Sequence, residues 1–329
     1  MTQTRLGQRQ DGFILVVVLG VVLALCALLF GFSQTTRTSL AKADSFYRTE
    51  QAWSAAWGGL QIAVATIRDV NAVCTDPRSA KLMTSENTFT IGDVNCTVTI
   101  AEENGLLNVN RLKGADGQLD RRHIEQFLRL IDVVNHQRKD LPPIGYGIVP
   151  AVIDWVDSDD KITCLPFVQR DNTGAENDDY QMDTPPRSCR NGPVDSLDEL
   201  LEVKGMASES LRRLRPYLTC VGDGKIDINA APKAVLQSLS EQIDATLAET
   251  IVQQRKLKPF KSLAELGSVP GMTDNTCRDI QSLITVNPAE RFYRVRAQGN
   301  TQDHRCTMEA ELRRNTQAGT VDILQYREL

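Results

Sequence analysis

The stretch that decides the fold is Gly12–Phe32, GFILVVVLGVVLALCALLFGF. From Phe13 to Phe32, twenty residues run without a charge or a proline. At roughly 1.5 Å per residue such a helix is about 30 Å long, the thickness of a bilayer's hydrocarbon core. The run is therefore expected to cross a membrane once. Arg5 and Arg9 precede it. Positive charge is retained on the cytoplasmic side, so the bulk of the chain is expected to be exported. A cleaved secretory signal has a shorter apolar middle, about 7 to 15 residues, ending in small residues. Here the run closes on Leu29, Phe30, Gly31 and Phe32, which predicts that the span is kept.

Outward from the span, Ser33–Asp69 contains no proline and carries Leu40, Phe46, Trp53, Trp57, Leu60, Val64 and Ile67 at spacings that suit one helix face. The helix is expected to continue out of the membrane. Gly58 and Gly59 weaken it by up to about 1 kcal/mol each and mark a point where it could bend.

The net charge is −5 and basic residues are spread along the chain, which argues against a nucleic-acid binder. About 300 residues beyond the span exceed one comfortable core, so two lobes are expected. Of eight cysteines, Cys26 lies in the span, and the odd number remaining leaves at least one unpaired. An oxidising compartment would permit bridges. The favoured pairings are Cys74 with Cys96 and Cys164 with Cys189, each closing a short polar segment; Cys220, Cys277 and Cys306 remain unassigned. No CxxC pair occurs and only His123, His136 and His304 could assist, a poor basis for a zinc site.

Phe89–Ile100 alternates as a strand, and Glu103-Asn104-Gly105 followed by Leu106–Val109 reads as a hairpin. Arg291–Ala297, Asp303–Leu312 and Thr320–Tyr326 read as three more strands. From about Asp120 to Ile284 the chain is mostly helical, with helical spacing in Ile124, Phe127, Leu128, Ile131 and Val134, and again in Val149, Val152, Ile153 and Val156.

This middle region repeats itself. Ser196-Leu-Asp-Glu-Leu-Leu-Glu-Val-Lys-Gly205-Met206 is echoed by Ser262-Leu-Ala-Glu-Leu-Gly-Ser-Val-Pro-Gly271-Met272. Each glycine falls where a turn between paired helices needs positive φ, in the manner of helix-hairpin-helix or sterile-alpha-motif-like units. Such hairpins can offer backbone N–H groups to DNA phosphates, so a membrane-tethered periplasmic DNA receptor is the alternative reading. Acids at Glu209 and Asp274 flank both hairpins and oppose it.

Between Asp154 and Asp183, nine carboxylates (Asp154, Asp157, Asp159, Asp160, Asp171, Glu176, Asp178, Asp179, Asp183) face Lys161 and Arg170. Such a cluster repels itself unless it is solvated, protonated or bound to a cation. Oxygen ligands in excess on a loop without histidine suit calcium, although the spacing is not that of an EF-hand. A solvated acidic loop is the plain alternative. No GxSxG, P-loop or HExxH occurs, and a self-repelling exposed cluster does not predict the paired carboxylates of a glycosidase. A noncatalytic protein is expected.

The short basic leader, Gly12, Phe13 and a span merging into an amphipathic helix resemble the class III signal of type IV pilins and type II secretion pseudopilins. The resemblance implies prepilin peptidase cleavage between Gly12 and Phe13, with methylation of the new terminus. Most such subunits carry glutamate at the fifth mature position, where this chain has Val17. A carboxylate buried in a bilayer or filament core costs several kcal/mol without a partner. In that family the partner is the amino terminus of the subunit above, so its absence fits a subunit with nothing above it.

Ile153-Asp-Trp-Val-Asp157-Ser-Asp-Asp160, Gly174-Ala-Glu-Asn-Asp-Asp-Tyr180, Asn191-Gly-Pro193, Ser196-Leu-Asp-Glu-Leu200, Glu103–Asn110 and Gly224–Asn229 resemble the minor pseudopilin K family of type II secretion over nearly the whole chain. The resemblance implies an α+β, pilin-like fold with a long transmembrane stem helix, an antiparallel sheet and a large inserted helical domain. The expected boundaries are 1–12 leader, 13–32 span, 33–116 and 286–329 pilin-like parts, and 117–285 insert. It also implies calcium at Asp157, Asp159, Asp160, Glu176, Asp178 and Asp179, with Trp155 and Tyr180 as packing residues. Implied partners are the other minor pseudopilins, the major pseudopilin, the prepilin peptidase and secreted substrates. The implied location is the inner membrane, with the bulk in the periplasm and a role at the pseudopilus tip in initiating assembly.

Overall fold

A computed structural model describes residues 10–69, 86–114, 117–169 and 171–329, with side chains from Phe13 onward. Residues 1–9 of the expected leader and Cys74 therefore lie outside the described residues, whereas Gln10–Gly12 are helical. Helix α1 runs unbroken from Gln10 to Arg68, and its apolar window, at mean hydropathy 3.3, is entirely unburied. It is the one described helix long and apolar enough to cross a membrane.

Beyond the span, α1 lies on a five-stranded antiparallel sheet in the order β1 (Asn87–Ile91), β2 (Val94–Glu102), β7 (Glu290–Asn300), β8 (Arg305–Asn315), β9 (Val321–Glu328). The three C-terminal strands fall where alternation places them. The expected face of α1 is buried at Leu60, Val64 and Ile67 but not at its earlier residues. Leu40, Phe46 and Trp53 are exposed, whereas Ala55, Leu60, Ala63, Val64 and Ile67 pack on Cys96, Val98, Val295, Ala297 and Leu312, and Ala52 and Ala56 pack on Cys306 and Met308. Small residues win because they let the helix axis approach the sheet. Gly59 is part of that contact rather than a bend. A Cβ there would overlap Cys96 Sγ and lie 2.9 Å from Val98 Cγ2, closer than carbon contacts tolerate.

The expected strand over Phe89–Ile100 is two strands, because the chain turns at Gly92-Asp93 and pairs Ile91 with Val94. Leu107–Asn108 (β3) does not form a hairpin with β2. It pairs in parallel with Leu218–Thr219 (β4), so the helical lobe begins soon after Glu102, nearer than the expected 117.

The lobe is a duplication. In the first unit β3 leads to α2 (Arg121–Gln137), α3 (Ile148–Val156), α4 (Asn177–Gln181), a 3-10 turn (Leu197–Glu202), α5 (Ser208–Leu214) and β4. In the second, β5 (Ile226–Asp227) leads to α6 (Lys233–Leu239), α7 (Ala245–Leu257), a 3-10 turn (Leu263–Ser268), α8 (Asp274–Ile280) and β6 (Ile284–Thr285), which pairs in parallel with β5. Gly205 and Gly271 turn at φ +83° and +92°, as the repeat predicts.

One asparagine locks each unit in the same way. Asn110 Oδ1 accepts from Val194 N at 2.9 Å while its Nδ2 donates to the carbonyls of Val194 and Cys220 at 2.9 and 2.8 Å. Asn229 Oδ1 accepts from Phe260 N at 2.9 Å and its Nδ2 donates to Phe260 and Val286 at 2.9 and 3.3 Å. Each amide satisfies three backbone groups that would otherwise be stranded. The units differ at one place. Two residues, Lys258 and Pro259, join α7 to Phe260, whereas residues 157–193 intervene between α3 and Val194. That insertion carries the acidic loop.

Candidate metal centre

Helix α3 is buried along all nine of its residues, including Asp154 at 0% exposure. A carboxylate in such a helix needs donors. Thr163 N supplies one, at 2.9 Å from Asp154 Oδ1 and 3.2 Å from Oδ2. Thr163 is held there by backbone pairing across the loop, Gly174 N to Thr163 O at 2.9 Å and Leu165 N to Asn172 O at 2.8 Å. This brings Gly174 against α3, where a Cβ would overlap the Asp154 carboxylate and sit 2.7 Å from the Pro150 carbonyl oxygen.

Asp157 ends α3, its N–H donating to Ile153 O at 3.0 Å. Its Oδ1 accepts from Asp159 N at 3.2 Å and its Oδ2 meets the Lys113 ammonium. Glu176 precedes α4 and is 3% exposed, and no hydrogen-bond donor among the described residues reaches either of its oxygens. One oxygen from each of Asp154, Asp157 and Glu176 lies within 4.8 Å of the others.

Burial pushes Glu176 up to about 7, and the negative charges of Asp154 and Asp157 add to the shift. Burial likewise raises Asp154 to about 6, against the opposing hydrogen bond from Thr163. Of the three buried carboxylates only Asp157 pairs with an ammonium group, that of Lys113, and the pair of unpartnered Glu176 oxygens marks where positive charge is wanted. The donors are all oxygen, which fits a hard cation such as calcium better than zinc. Asn191, at φ +49°, adds a neutral side-chain oxygen that is buried without a partner.

Of the six expected ligands, the structure brings together Asp157 and Glu176. Asp159 accepts from Lys161 N at 3.0 Å and faces Lys113 at 3.4 Å, and Asp160 accepts from Asn191 Nδ2 at 2.7 Å, both beside the cluster. Asp178 is exposed on α4. Asp179 turns away to Lys204 and accepts from Glu176 N at 3.4 Å. Asp154, outside the expected set, is the third member of the cluster. Its signal was a lone acid in the middle of an otherwise apolar helical run. Trp155 and Tyr180 are packing residues, as expected, with ring centroids 5.1 Å apart edge to face.

The Cys164–Cys189 bridge is not formed; both thiols are free. Cys164 is exposed beside Thr173, whereas the Cys189 thiol turns inward and donates to Asp154 O at 3.6 Å. Cys96 is buried under α1, and its expected partner Cys74 lies outside the described residues.

Residues 105–223 match the family described as type II secretion system protein K, and residues 221–285 match the helix-hairpin-helix motif, the second unit of the lobe. Type II secretion system protein K of Pseudomonas aeruginosa is 26% identical over 280 residues, covering 80% of this chain and 79% of that protein. The protein K of Aeromonas hydrophila is 23% identical over 294 residues, covering 80% and 84%. The crystal structure of the GspK–GspI–GspJ complex from the enterotoxigenic Escherichia coli type 2 secretion system contains a chain that superposes with a TM-score of 0.63 at 18% identity, over 89% of this chain and 99% of that one. This chain is thus similar to type II secretion system protein K over residues 105–223, to relatives of that name over four-fifths of its length, and in its fold to a chain of the GspK–GspI–GspJ complex.

Proposed function

We propose that this chain is a noncatalytic minor pseudopilin that stands at the tip of the pseudopilus and initiates its assembly for export of folded proteins. The observation that carries this is the placement of the whole helical lobe between β2 and β7, as a bulky projection from a subunit whose stem would otherwise suit a helical stack. A lobe of this size obstructs a subunit sitting above. Val17 supports the same reading, since the span offers no carboxylate to a neighbouring amino terminus. The single exposed apolar helix supports an inner-membrane anchor with the lobes in the periplasm, and processing after Gly12 completes the stem.

Calcium, in this reading, is held by Asp154, Asp157 and Glu176 with Asp160 and Asn191 alongside, and it folds the inserted loop by binding the native state. The partners are other minor pseudopilins, by likeness to the GspK–GspI–GspJ complex, together with the major pseudopilin. Co-expression of the full chain with the other minor pseudopilins of its own secretion system, followed by detergent extraction, should yield one complex on size exclusion. Separate elution of every subunit, with each one folded, would refute the assignment.

A further inference from the structure

The segment Cys189–Glu199 runs from the acidic cluster to the sheet, and its contacts reach both. At the first end, Asn191 Nδ2 donates to Asp160 at 2.7 Å and Gly192 N to Trp155 O at 3.4 Å. A few residues on, Gln325 Nε2 of β9 donates to Asp195 O at 2.6 Å. Arg327 of β9 pairs with Asp198 and donates to Ser196 Oγ, both at 2.7 Å, and also reaches Glu309 of β8 at 2.6 Å. The segment is braced along its length. Arg190 pairs with Asp195 at 2.7 Å and with Glu199, whose Oε1 accepts from Asp195 N and Ser196 N at 3.1 and 3.2 Å.

The strand it grips lies at the edge of the sheet, held by its ladder with β8 and by the edge-to-face contact of Tyr326 with Trp57, centroids 5.7 Å apart. Among the described residues β9 has one strand neighbour, β8, and Ile323, Leu324 and Tyr326 are exposed. The buried apolar cluster of the lobe is also separate from that of the stem and sheet. Polar contacts therefore contribute to how the lobe sits on the sheet, among them the Glu103–Arg294 pair, the Arg291 contacts with Glu102 and Asp227, the Asn104 hydrogen bonds to Glu290 O and from Phe292 N, and this segment.

We infer that the Cys189–Glu199 segment couples the metal cluster to edge strand β9, so that cation binding fixes the helical lobe against the pilin-like sheet. Without a cation, the mutual repulsion of Asp154, Asp157 and Glu176 is relieved by opening the loop, and Asp160 loosens its hold on Asn191. With a cation, the loop closes and the brace passes its order to Gln325 and Arg327. The inference rests on the calcium reading above and extends it to the geometry of the whole subunit.

Hydrogen exchange read by mass spectrometry on the full chain in detergent, with calcium chloride or with EGTA, tests it. Calcium should slow exchange in residues 154–199 and also, about tenfold, in residues 321–328, the size expected for one charge-assisted hydrogen bond gained. Arg327→Gln should keep the first effect and abolish the second. Protection confined to 154–199 in the unmutated chain would overturn the coupling and leave calcium binding standing. No calcium effect in any segment would overturn both. An equal response of 321–328 in Arg327→Gln would also sink the coupling through this segment.

Discussion

Replacing Gly174 with alanine should damage the metal centre while leaving the apolar core intact. The backbone at Gly174 lies outside the left-handed region, so the effect is steric. The new Cβ would stand 2.7 Å from Pro150 O and would overlap the Asp154 carboxylate, whereas carbon contacts settle at about 3.5 Å or more. Pro150 O belongs to the buried helix α3 and cannot retreat far. The Asp154 carboxylate or the loop must therefore move by about 1 Å, and the hydrogen bonds from Thr163 N to Asp154 weaken with it. A hydrogen bond to a charged group is worth about 1.5–3 kcal/mol, so calcium affinity should fall roughly 10- to 100-fold. In the unmutated chain, calcium at a hundred times its dissociation constant adds about 2.7 kcal/mol. For a lobe of this size that raises the melting temperature by about 5–10 °C. Titration calorimetry reads the affinity and a thermal melt with and without EGTA reads the stabilisation. Gly174→Ala binding calcium as tightly as the unmutated chain, with the same melting shift, would refute the assignment of Asp154 to the site.

Two further predictions concern processing and the junction between the lobes. Gly12→Leu should leave an unprocessed chain in the inner membrane, seen as the full leader mass by intact-protein mass spectrometry; an unchanged mature terminus would refute cleavage before Phe13. Glu103 is 1% exposed, and burial raises it from its ordinary 4.5 to about 7 despite the Arg294 pair and the hydrogen bond from Thr219. The native state then holds this proton more tightly than the unfolded chain does. Its contribution is complete below about pH 4.5 and is lost as pH rises through about 7. In saturating calcium the unmutated chain should therefore lose stability across that window relative to Glu103→Gln, and parallel melting curves for the two would contradict the shift.

The stem, the three C-terminal strands and the two hairpin glycines were legible because each rests on local periodicity or a required φ. Pairing partners were less so. Leu106–Val109 looked like the second arm of a hairpin, but its partner, Leu218–Thr219, lies more than a hundred residues away and is chosen by the closing of the first repeat. The turn at Gly92-Asp93 was hidden because apolar residues alternate on both sides of it. On the stem, large side chains drew the eye to Trp53 and Phe46, whereas the sheet selects Ala52, Ala56 and Gly59 for close approach. In the acidic loop, composition could not rank nine carboxylates. Burial separates them, setting Asp154, Asp157 and Glu176 inside and leaving Asp178 in solvent.

The central claim is that this subunit ends the fibre, and its position can be seen directly. Pseudopili assembled in cells and sheared off, with this subunit carrying an epitope at the exposed Gln317 and Ala318 between β8 and β9 or a gold label on the exposed Cys164 of the lobe, should show label at one end of each fibre by electron microscopy. Label spaced along the shafts, with subunits stacked above it, would contradict the account.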